Sequence, residues 1–145
     1  HKFDLLQKLF GEVYIPRAVY VEAVVAGRKE GGASREVSTA TWIKVVEVND
    51  RVAVEVLLDE LDLGEAEAIV LAREIGADWV LMDERKGRRK LAQMGLHKIG
   101  TIGILLKAKQ EGLLSVIRPD LEKLRQQGFS ISQDVIDAVL HEANE

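Results

Sequence analysis

Acidic side chains gather at two places in Leu63–Arg85, LGEAEAIVLAREIGADWVLMDER. Glu65 and Glu67 open an amphipathic helix, and Asp83 and Glu84 close the apolar strand that follows it. A third position of this kind is Glu22, set in the apolar row of Val19, Val25 and Ala26 in the helix that starts at Pro16. A carboxylate among apolar neighbours is costly unless it is paired, protonated or bound to a cation. Oxygen-rich acidic clusters suit Mg²⁺ or Mn²⁺, the ions that let an acidic protein act on an acidic polymer. Ordinary roles compete with that chemistry. The helix macrodipole favours Glu65 and Glu67 in a first turn, Asp83 suits a turn or an N-cap, and Glu22 could pair with Arg17 or Lys29. Spacing alone leaves both readings open.

The elements that must position these acids alternate along the chain. Helices are predicted over Phe3–Phe10, Pro16 to about Ala26, Val52–Leu58, Gly64–Ile75, Arg85–Met94, Thr101–Glu111, Leu121–Gln127 and Gln133–Ala143. Strands are predicted over Glu12–Ile15, Ile43–Val48, Ala77–Met82, Lys98–Ile99 and Leu114–Ile117. Pro16 is expected at the first helical position, where its missing N–H costs nothing. Ala26–Trp42, rich in Gly, Ser, Thr and charge, reads as a mobile loop with room for one helical turn. Strands spaced by helices argue for an α/β fold with a parallel sheet. In a strand–helix–strand unit the helix N-terminus and the carboxyl end of the next strand share one edge of the sheet. The helix from Gly64 runs about 18 Å and Ala77–Met82 returns about 20 Å by their respective rises, so Glu65 and Asp83 are expected to meet. That edge is where open α/β folds build ligand sites.

Helical spacing separates the two acids of the middle helix. Ala68, Ile69 and Ala72 follow Glu65 at three, four and seven residues, which places Glu65 on the packed stripe and Glu67 on the outer side with Glu74.

Bulk composition bounds the rest. The 145 residues, 47% hydrophobic and 30% charged, fit one globular domain. Only 5% are aromatic, so the core must come from Val, Leu, Ile and Ala. A net charge of -4 gives no global basic field, so polyanion binding must be local or metal-borne. The absence of cysteine excludes thiol catalysis, disulfides and cysteine-bound zinc, and agrees with a reducing cytosol. No apolar run approaches a bilayer span. The chain is expected to be cytoplasmic, without membrane contact.

YIPRAVYVEAV, LDLGEAEAIVLAREIGADWVLMDER and HKIGTIGILLKAKQEGLL together resemble a PIN-like nuclease domain, over nearly the whole chain. The resemblance implies a three-layer α/β/α sandwich around a mostly parallel central sheet of Rossmann-like topology. It also implies a Mg²⁺- or Mn²⁺-dependent ribonuclease, often the toxin of a toxin–antitoxin pair, working by metal-assisted hydrolysis with no side-chain nucleophile. Matched residue by residue, the metal-binding and catalytic acids fall on Glu22, Glu65 and Asp83, with Glu84 as their neighbour. Such domains begin with a strand carrying a further catalytic Asp in a pattern like SDTSPL. This chain is expected to start after that strand, and Asp4 does not fill the role.

RNA is the substrate so implied, with an antitoxin protein or a second copy of the chain as further partners. Arg85, Lys86, Arg88, Arg89 and Lys90 stand beside Asp83, where they could grip backbone phosphates or form a solvated helix face. Thr101 in GTIG suits a helix cap or a phosphate contact. His1, His97 and His141 show no ligand spacing. An inactive nucleic-acid- or protein-binding module is the alternative. A Rossmann-type nucleotide site is disfavoured because no Gly-rich phosphate loop follows a strand. Ile131, Val135, Ala138, Val139 and Glu142 form a helical row that packs on its own domain, a second copy or an antitoxin segment.

Overall fold

Pro16 ends a strand rather than opening a helix. Its extended backbone (φ -75°, ψ 163°) makes it the N-cap of the helix that follows, and its partner in the ladder is Val46. The computed structural model describes residues 4–26 and 34–145, so Lys29, His1 and the centre of the predicted Ala26–Trp42 loop lie outside the described residues. The first elements are α1 (Asp4–Phe10), β1 (Val13–Pro16) and α2 (Arg17–Val21), which continues as a π-helical segment over Glu22–Ala26. Then come α3 (Ser34–Thr39), β2 (Ile43–Val46), α4 (Arg51–Leu57), α5 (Leu63–Ile75), β3 (Val80–Leu81), α6 (Arg85–Gln93) and β4 (Lys98–Ile99). Three helices close the chain: α7 (Thr101–Gln110), α8 (Arg118–Gln126) and α9 (Gln133–Glu142).

The residues gather into two compact units, His1–Ile99 and Gly100–Glu145. The first is α/β. Its strands are all parallel but form two separate pairs among the described residues, β1 with β2 and β3 with β4. The predicted six-residue strand Ala77–Met82 shrinks to Val80–Leu81 because its partner is only Lys98–Ile99, cut off by Gly100 at the head of α7. Backbone bonds from Val80 N–H to His97 O and from Met82 N–H to Ile99 O extend that ladder on either side. Residues of β1 and β3 both line an apolar cavity of about 760 Å³, with α5 residues Leu71 and Ala72 also in its wall.

Helix α5 is the centre of this unit and packs against α2, α4, α6, β1 and β3. Asp62 and Glu65 form a reciprocal capping box at its start, and Gly76 in the left-handed conformation (φ 64°) ends it. Ala66, Ile69, Val70, Leu71 and Ala72 are buried along it and join Val48, Val54, Leu61, Val80, Met82 and Leu91 in one core. Burial of an aliphatic side chain such as Ile69 contributes roughly 1.5–3 kcal/mol. A second cluster joins Val24 of the π-helical segment, Val37 of α3 and Ile43 of β2.

The second unit is helical. The predicted strand Leu114–Ile117 is irregular backbone instead, since no strand lies beside it among the described residues of this unit. Its Ile117 is fully buried with Leu105, Leu121, Ile136 and Leu140. Glu145 staples this unit. Its carboxylate accepts from Lys109 Nζ (2.9 Å), Ile117 N–H (2.8 Å) and Arg118 N–H (3.3 Å). Of the predicted row, Val135 is exposed, whereas Ile131 and Val139 pack against the buried residues of α9, Ile136 and Leu140, continued by Ala143 at its C-cap. That face, spaced by four and then three residues, meets the α8 side chain Leu121 and Ile117 in one cluster.

Candidate functional site

Three local features bring acids to one small concavity of about 260 Å³ in the first unit. It is lined by Glu22, Asp62, Gly64, Glu65, Asp83 and Glu84, with Val19, Ala68, Leu81 and Met82 as its apolar wall. Glu22 comes from the end of α2, Glu65 from the first turn of α5, and Asp83 and Glu84 from the turn between β3 and α6. The structure thus gathers Glu22, Glu65, Asp83 and Glu84 from distant parts of the chain.

Gly64 is what lets Glu22 in. A Cβ at that position would stand 2.6 Å from Glu22 Oε1, so only glycine admits the carboxylate to the start of α5. Glu22 is exposed as a residue, whereas the sequence pattern placed it in an apolar row; its carboxylate lies against Gly64. Burial raises its pKa above the ordinary carboxylate value, and the negative charge of Asp62 adds to the rise.

Glu65 is half-buried and accepts a bond from the Asp62 backbone N–H at 3.1 Å, while Asp62 Oδ1 accepts from Glu65 N–H at 2.9 Å. Burial raises the Glu65 pKa. The Asp62 N–H bond pulls it down, and the charges of Asp62 and Glu84 push it up again. Asp62 escaped the sequence reading, although Asp62 followed three residues later by Glu65 is a capping-box signature.

Glu67 corrects the sequence reading outright. Instead of facing solvent it is 4% exposed, with one oxygen accepting from Ala18 N–H (2.9 Å) and the other from Arg51 Nη1 (2.7 Å). One-sided burial was the faulty premise, because α2 and α4 cover the flank of α5 that a helix lying on a sheet alone would leave open. Glu74, expected beside it, is exposed and accepts from the Asn49 and Asp50 backbone N–H groups instead.

Asp83 and Glu84 are both exposed. The N-cap of α6 is Glu84, not Asp83, and its carboxylate makes no capping bond. Gly87 brings α6 down onto the strand end, since a Cβ there would meet Met82 Sδ at 2.5 Å. Arg88 Nη1 donates to Met82 O at 2.9 Å, so this cation braces the turn that carries Asp83 as well as lying beside it. Arg85, Lys86 and Arg89 are exposed, and Lys90 pairs with Glu60 at 3.4 Å. Thr101 is the first residue of α7, in the second unit, and its N-cap is Gly100. The His97 ring lies 5.5 Å from the Trp79 ring.

Carboxylate oxygens are the donors that Mg²⁺ and Mn²⁺ prefer. Glu22 and Glu65 both pay for their charge in this fold, a cost that a cation relieves. The donor set therefore fits a divalent ion in chemistry. Among the described residues, no three such groups yet stand close enough together to grip one. To do so the carboxylates must turn toward one another, while Glu65 Oε1 is held by the Asp62 N–H and its Oε2 is left for an ion.

No helix among the described residues is long and apolar enough to cross a membrane. No curated protein and no solved structure matches the chain. The family model DUF3368, described as a PIN domain, matches all of it, residues 1–145, and the chain belongs to the PIN domain family.

Proposed function

We propose that this protein is a Mg²⁺- or Mn²⁺-dependent ribonuclease in which Glu22, Glu65 and Asp83 hold the ion, with Glu84 beside them. The observation that carries the reading is the shared concavity of these acids. Membership of the PIN domain family, whose members are usually divalent-metal nucleases, supports it. A bound ion would supply Lewis acidity toward a phosphodiester and a more acidic water.

The chain's own side chains do the rest. Asp62 fixes the first turn of α5 and so orients Glu65. Val19, Ala68 and Met82 wall the concavity with apolar surface and strengthen electrostatics within it. Arg85, Lys86 and Arg89 offer exposed positive charge next to the acids for the RNA backbone, balancing the net -4 of the chain locally. Within this proposal the enzyme is the cytoplasmic toxin of a toxin–antitoxin pair, held in check by an antitoxin protein.

The test is cleavage of a mixed RNA substrate in Mn²⁺, alongside Glu65→Gln and an EDTA control. Loss of cleavage in both supports the proposal. Cleavage that survives Glu65→Gln refutes it, and an RNA that is bound but never cut points to a binding module.

A further inference from the structure

Glu67 is the one buried charged residue among those described, and the chemistry proposed above does not use it. Its position is nevertheless tied to that of Glu22. Ala18 and Glu22 are four residues apart on α2, with Glu22 N–H bonded back to Ala18 O, so they share a face of that helix. Gly64 and Glu67 are three apart on α5 and share a face there. Ala18 N–H meets the Glu67 carboxylate, and the Glu22 carboxylate lies on Gly64. These two contacts run in opposite chain directions and define one antiparallel register of α2 on α5. The 2.9 Å charge-assisted bond is directional, so it holds that register where apolar packing alone would tolerate sliding. Arg51 at the head of α4 balances the buried charge, at 2.7 Å.

We propose that Glu67 is a positioning residue: by gripping the Ala18 N–H it sets the register of α2 on α5 and so seats Glu22 against Gly64 in the acidic concavity. This rests on the reading of that concavity as a metal site. Glu67→Met keeps the length of the side chain and removes its oxygens, with Glu67→Ala in reserve should the first not fold. Glu67→Gln keeps an oxygen for Ala18 N–H.

Titration of Mn²⁺ by electron paramagnetic resonance is expected to give about 10-fold weaker binding for Glu67→Met, the scale seen when a group supporting a metal ligand is removed. Glu67→Gln is expected to recover most of that affinity. In a Glu22→Gln background, Glu67→Met should weaken binding no further, because Glu67 acts through Glu22. Unaltered affinity, or effects that simply add, overturns the inference. A metal-free reading separates it from the metal-site proposal. The nuclear Overhauser effect between Glu22 γ-protons and Gly64 α-protons should vanish in Glu67→Met and persist in Glu67→Gln. Its persistence in Glu67→Met overturns the inference. If it vanishes as expected but the wild type binds no Mn²⁺, only the metal site is refuted.

Discussion

The Glu22 carboxylate lies so close to Gly64 that a single added methyl group there would stand 2.6 Å from Glu22 Oε1. Gly64→Ala is therefore a local probe of the site. Alanine is favoured over glycine inside a helix by up to about 1 kcal/mol, and the atom in its way is the free end of a side chain that can swing aside. Thermal melting should show unchanged or slightly raised stability, while calorimetry should show Mn²⁺ binding at least about 10-fold weaker. A drop in stability with intact binding would mean that Glu22 is not a ligand.

The raised pKa values of Glu22 and Glu65 set a pH dependence. Their folded values lie above the unfolded ones, so the fold takes up protons at these sites more readily than the unfolded chain does. The resulting cost to stability is absent below the unfolded carboxylate pKa and fully present above the raised folded one. Glu22→Gln should therefore raise the melting temperature at pH 7 and leave it nearly unchanged at pH 4. Cations compete with those protons, so Mn²⁺ affinity should fall as pH drops toward the raised values, measured by calorimetry across that range.

Glu145 has the opposite sign. Its bond to Lys109, with those from the Ile117 and Arg118 N–H groups, holds its pKa below the ordinary carboxylate value despite an opposing desolvation effect. The stability it contributes is present above the unfolded pKa and is lost as pH falls through the folded one. Glu145→Gln should lower the melting temperature at pH 7, and the gap from wild type should close at pH values below the usual carboxylate range.

Cations on α6 should divide by role. Arg85→Ala and Arg89→Ala remove exposed charges and should weaken RNA binding, with the salt slope reduced by roughly one for each phosphate left unbound, at unchanged melting temperature. Arg88→Ala breaks the bond to Met82 O and should cost about 1–2 kcal/mol in denaturant unfolding.

How much of this was legible in the sequence follows from which neighbours a residue depends on. Glu65 and Asp83 were placed by periodicity and by the geometry of a strand–helix–strand unit, and the structure brings both to one concavity. Glu67 was misplaced because periodicity locates one buried stripe, whereas α5 is covered on several sides. The signal that it was buried lies in its surroundings: its immediate neighbours Ala66 and Ala68, and Val70 and Leu71 one turn on, are all apolar. The length of β3 was out of reach because it is set by pairing with the short β4, and neither strand's own residues name its partner; the π-helical turn at Glu22 has no sequence mark. Gly64 and Gly87 look like helix weaknesses in the sequence, and only the side chains lying against them, Glu22 and Met82, give them a purpose.

Whether the acids hold an ion is decided most simply by anomalous diffraction from crystals of the protein soaked in Mn²⁺. A peak bordered by the Glu22, Glu65 and Asp83 carboxylates, absent from Glu65→Gln crystals, is the expected result. A peak elsewhere, or none at saturating Mn²⁺, would contradict the metal site.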